Sequence, residues 1–125
     1  MNLFPFFESV LEQDRCAVVL CDLEHTIIYM NHAAGERYAK WGGMALLGKS
    51  LLDCHTPQAN EMIKKVVAWF QKSREHNVIY TFRNEKENKD VYMVALRDNG
   101  GTLIGYYEKH EYRDRETMKL YDFKP

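Results

Sequence analysis

Cys54-His55 is the stretch of this chain with the strongest intrinsic chemistry, a thiol beside an imidazole with Asp53 directly before it. A thiol, a base and a carboxylate are the parts of a nucleophilic site, but adjacent residues rarely orient one another for attack. Such sites assemble from distant segments. A second set is Ile104, Tyr106, Glu108, His110 and Tyr112, which share one face if the segment is a straight strand. Facing a cavity, that set would bind a polar ligand, although cross-strand pairing at the sheet surface is the more ordinary role for His110. The three cysteines, Cys16, Cys21 and Cys54, show no CxxC spacing. Cys16 and Cys21, five apart, fall on opposite faces of a straight strand. An odd, unpatterned count points to reduced thiols and a cytoplasmic location. No GxGxxG or P-loop string is present, and Gly42-Gly43 and Gly100-Gly101 read as turns. The chain is therefore expected not to be an enzyme, with a small α+β enzyme as a minor alternative.

The elements that must position these groups follow from periodicity. Leu3, Phe6, Phe7, Val10 and Leu11 recur at helical spacing, with Pro5 tolerated in the first turn. That apolar stripe must lie on the sheet or on a second copy of the protein. Ala17 to Cys21 reads as a buried strand, Asp22 to His25 as a turn, and Thr26 to Met30 as the second strand of a hairpin. Asn31 then stands before Ala33-Ala34, placed to cap a short helix reaching Lys40. Met44 to Leu47 adds a helical turn, and Pro57 opens the longest helical pattern, running to about Ser73. Three strands follow, Val78–Phe82, Val91–Leu96 and Leu103–Tyr112, joined by the polar segment 84–90 and the Asp98-Asn99-Gly100-Gly101 turn. The fold class is α+β: a five-stranded antiparallel sheet with helices on one face, plus an N-terminal amphipathic helix. The long helix and the sheet form two walls of a cavity.

Size and charge narrow the function. The chain has 125 residues, the length of one domain. Its 17 basic and 18 acidic side chains leave a net charge of −1, without the basic excess of a nucleic-acid binder. No apolar run is long enough to span a membrane, and Glu8 and Glu12 interrupt the N-terminal segment where a signal peptide would be apolar.

The order of these landmarks resembles the PAS sensor family. The acidic turn Asp22-Leu23-Glu24, the strand ending at Asn31 before small residues, and the corner Gly48-Lys49-Ser50 all match its pattern. Cys54-His55-Thr56-Pro57 is similar to its His-Pro turn but carries an extra Thr, and Arg113-Asp114-Arg115-Glu116 keeps only the Asp of its closing motif. The resemblance divides the chain into an N-terminal helix at 1–13, a sensor domain at 14–116 and a tail at 117–125. It implies a sensory module that binds a small molecule or cofactor between sheet and long helix and signals through a homodimer or a separate output protein. The alternative is a ligand-free association module.

The family's cofactor classes map onto this chain residue by residue. Lys49-Ser50-Leu51-Leu52 stands where flavin photosensors carry a reactive Cys, so a flavin photoadduct is not expected. The long helix holds no His, where oxygen-sensing haem members place one. Haem stays open only at Cys54 and His55, both recognised axial ligand types. Against it stands a structural role for His55, such as capping the helix, which carries more weight. The expected cavity residues are Tyr38, Met62, Ile63, Val66, Tyr80, Met93 and Tyr106. Which strand face points inward decides this set, since a slip of one residue exchanges it.

Overall fold

A buried asparagine joins the strands to the helices. Asn31 accepts from Ala34 N–H at 2.9 Å and from Val18 N–H at 2.9 Å, while its amide donates to Leu11 O at 2.9 Å and Cys16 O at 3.0 Å. One side chain thus caps a helix, fixes the entry to the first strand and ties down the end of the N-terminal helix.

The computed structural model describes residues 1–123. Its elements in order are α1 (Phe4–Glu12), β1 (Val19–Asp22), β2 (Ile27–Met30), α2 (His32–Arg37), α3 (Pro57–Lys72), β3 (Val78–Asn84), β4 (Lys89–Arg97) and β5 (Leu103–Tyr112). Three 3-10 turns, Ala39–Trp41, Gly43–Leu46 and Leu51–Cys54, link α2 to α3. The sheet is antiparallel in the order β2-β1-β5-β4-β3. The last strand therefore lies at its centre, joining the N-terminal hairpin to the C-terminal one.

Local chemistry explains the boundaries. The helix expected to reach Lys40 ends at Arg37 and tightens into a 3-10 turn, Ala39–Trp41, before Gly42, whose φ is 123°. The unexpected Thr before Pro57 is the cap of α3: Thr56 Oγ1 accepts from Ala59 N–H at 3.1 Å. His55 does not cap the helix; its Nδ1 sits 2.9 Å from Leu51 O. Segment 48–51 runs along the free edge of β2, with Ile27 N–H donating to Lys49 O and Gly48 N–H to Ile27 O. At Gly105 any Cβ would lie 2.2 Å from Cys21 O, so β1 and β5 can approach only because that residue is glycine.

The core lies between α3 and the inner face of the sheet. Ile63, Val67 and Phe70 of the helix meet Cys21, Met93 and Tyr106 of the strands. Arg97 closes the far end of α3, donating to Phe70 O, Ser73 O and His76 O, carbonyls at or just past its last turn. Helix α1 has no buried residue: Phe4, Phe6, Phe7 and Val10 are exposed and Leu11 is half-buried, so the stripe is not part of the core. Among the described residues no helix is long and apolar enough to cross a membrane.

Candidate functional site

Register determines which side chains face inward. Ile79 pairs with Met93 and Tyr80 with Tyr92, so Tyr80 and Met93 lie on opposite faces of the sheet. Met93 is 1% exposed, and β5 presents Tyr106 on the same inner face through its pairing with Ala95. Between this face, Ile63 of α3 and the 3-10 turns lies a cavity of about 160 Å³. Its apolar walls include Val19 and Cys21 of β1, Ile27 and Met30 of β2, and Leu46 and Leu51 of the turns. Exposed Trp41 and Cys54 line its outer edge.

The polar lining is concentrated on β5 and the turns facing it: Tyr106, Glu108, His110, Tyr38 and His55. His110 Nε2 is 3.3 Å from Glu108 Oε1, and the His110 side chain is only 8% exposed. Burial alone would raise the Glu108 pKa. The hydrogen bond from His110, with the Lys89 charge, outweighs it and holds the carboxyl below its ordinary value. Glu108 keeps 36% of its side chain accessible, so its desolvation is partial and these prevail. The Tyr106 hydroxyl lies 2.7 Å from His25 Nδ1. Burial lowers the His25 pKa, helped by the Lys64 charge, which favours the neutral ring over the imidazolium.

The seven expected residues divide in two. Tyr38, Ile63, Met93 and Tyr106 line the cavity, together with Cys54 and His55. Met62, Val66 and Tyr80 do not. One residue along a helix is a rotation of about 100°, which turns Met62 away from Ile63. Met62 and Val66 instead border a shallow groove with Trp69 and Ile79. Tyr80 is on the outer face, where its hydroxyl donates to Asp90 Oδ1 at 2.6 Å. Sequence reasoning also passed over the β1–β2 side of the cavity. Alternation would have marked Val19, Cys21, Ile27 and Met30, but choosing them needs the strand order, which places this hairpin beside β5. Of the β5 set, Tyr106, Glu108 and His110 line the cavity, while Ile104 and Tyr112 are exposed. Ile104 falls at the register shift opposite Leu96/Arg97, which breaks the alternation.

The site has clear chemical limits. Burial pushes the Cys21 thiol up to about 12, which keeps it protonated and a poor nucleophile. Among the described residues no three His, Cys, Asp or Glu side chains converge to hold a metal ion. An apolar cavity of about 150 Å³ takes a benzene. A porphyrin is several times larger and does not fit between these walls. Cys54 and His55 border a space of the wrong size for haem.

No family model matches the sequence, and no curated protein matches it either. Solved structures do. A C-terminal domain from Streptococcus mutans superposes with a TM-score of 0.64 at 22% identity, covering 85% of this chain and 81% of that one. The PAS domain of a protein from Colwellia psychrerythraea gives 0.65 at 14% identity, covering 89% and 97%. A sensory box sensor histidine kinase from Vibrio cholerae gives 0.59 at 13% identity, covering 86% and 89%. At these identities the likeness carries architecture alone. By these superpositions this chain has the PAS fold.

Proposed function

We propose that the chain is a sensory module, not an enzyme, and that it binds a small, mainly apolar molecule between α3 and the sheet. The observation that carries this reading is the cavity itself. It is large enough for one ring, lined by Met, Ile, Val and Leu, with a polar cluster on one side. Its walls are drawn from both hairpins and from the segment joining them, so occupancy would alter how sheet and helices pack. The likeness to domains described as PAS and sensory box supports a sensory role.

Toluene is a suitable first probe. It is expected to raise the Tm of the wild-type chain by a few degrees. Ala17 lines the cavity, so Ala17→Leu should fill part of it and remove most of that response. A wild-type Tm that saturating toluene leaves unchanged would remove the ligand-binding reading.

A second reading, association between two copies of the chain, rests on exposed apolar surface. Phe4, Phe6, Phe7 and Val10 of α1 are each more than half exposed, as are Val78, Tyr80 and Phe82 on the outer face of β3. A helical stripe and an apolar sheet face on one molecule are mutually complementary, which suits a symmetric homodimer. Sedimentation of a Phe7→Glu, Val10→Glu variant should show a monomer where the wild type is a dimer. An unchanged mass would place any interface elsewhere. Either form would signal through dimer or partner contacts, and the composition fits neither nucleic acid nor membrane as the partner.

A further inference from the structure

The chemical class of the cavity's ligand follows from one buried nitrogen. Among the described residues two buried side-chain polar atoms have no hydrogen-bond partner, Asn60 Oδ1 and His110 Nδ1. His110 lines the cavity. A native fold rarely leaves such an atom unsatisfied, because doing so forfeits a hydrogen bond without regaining water.

Other polar groups of the cavity have partners in the chain. The Tyr106 hydroxyl is taken by His25, and His55 Nδ1 is held at Leu51 O. The tautomer of His110 also follows. An ionised carboxylate can only accept, so the nitrogen facing Glu108, Nε2, carries the proton. With a single ring proton, placed at Nε2, Nδ1 is a lone pair buried in the wall of the cavity. Beside it, Glu108 offers further acceptor capacity. These two groups on β5 are acceptors that a donor would satisfy.

We infer that the ligand is a compact, one-ring-sized apolar molecule bearing an O–H or N–H group, which donates to His110 Nδ1. The apolar ring lies against Met30, Ile63 and Met93, and the donor reaches the β5 wall. This rests on the ligand-binding reading above and specifies its chemistry. Volume sets the size class, since about 160 Å³ matches a cavity that takes benzene. The orphaned nitrogen sets the polarity.

Phenol and toluene differ by a hydroxyl in place of a methyl at nearly equal volume, so their comparison isolates the donor. Calorimetric titration should give phenol a Kd about tenfold below that of toluene. His110→Leu should abolish that preference. In wild-type protein carrying 15N-histidine, phenol should shift the His110 Nδ1 resonance and toluene should not, which keeps the test independent of the variant's folding. Phenol binding no tighter than toluene would overturn the inference, with water satisfying the nitrogen. A preference for benzoate would overturn it in the opposite sense, since Nδ1 would then be a donor on an imidazolium. If none of the three binds, the ligand-binding reading fails as well; if toluene alone binds, only the donor assignment fails.

Discussion

At the scale of single residues, Asn31 and the Glu108–His110 pair show two uses of buried polarity. Asn31 is 0% exposed, and each of its side-chain polar atoms has a partner in this chain. It serves the fold. Asn31→Ala removes a helix cap and strands the buried Val18 N–H, so equilibrium denaturation should show a loss of roughly 2–5 kcal/mol. A loss under about 1 kcal/mol would mean that water replaces the side chain. The cap was legible in the sequence, because an Asn between an apolar strand and Ala-Ala has few other uses. Its bonds to Leu11 O and Cys16 O were not, since they depend on where the chain before β1 returns. His110 differs in keeping an unfilled position, and only the three-dimensional cavity reveals it.

At the scale of elements, the periodic patterns located every strand and α3, and β5 was read with its observed bounds. What they could not supply was the face. Tyr80 and Met93 looked equivalent as apolar members of neighbouring strands, yet the pairing of Ile79 with Met93 separates them. Lys89 was read as part of a polar loop. It is 2% exposed, its ammonium 5.3 Å over the Tyr112 ring and 3.4 Å from Glu87 Oε2. The contact with Tyr112, far along the chain, leaves no mark on local sequence. Glu87 also takes two hydrogen bonds from Arg37, tying α2 to the β3–β4 connection. That bond with Arg37, more than the Lys89 charge and against the cost of burial, lowers the Glu87 carboxyl from 4.5 to about 2. A depressed carboxylate pKa stabilises the fold above the ordinary value, and the contribution is lost as pH falls towards the folded one. Stability should therefore fall between about pH 4.5 and pH 2, and Glu87→Gln should flatten that limb. The effect should shrink in high salt because the pair is partly exposed. Superimposable acid profiles for the variant and the wild type would contradict this account.

For the whole molecule, the fold brings a partly open, ring-sized space and exposed apolar patches into one small domain. The cavity draws on residues from Ala17 to His110, so its contents bear on nearly every element. Association through the outer face of β3 would place a partner one strand from β4, whose Met93 lines the cavity. A bound molecule would then reach such an interface through β4. The fold itself was legible because strand, corner and long helix follow one another in order. The half of the cavity contributed by the N-terminal hairpin was hidden by strand order.

The central claim is that small molecules enter between α3 and the inner sheet, not the shallow groove beside Met62. Methionine methyl groups report on both places: Met30 and Met93 line the cavity, Met62 borders the groove, and Met118 is exposed in the C-terminal tail. A 13C-methyl NMR titration with toluene should shift Met30 and Met93 saturably and leave Met62 and Met118 unmoved. Shifts confined to Met62, or no saturable shift at Met30 and Met93, would contradict the account.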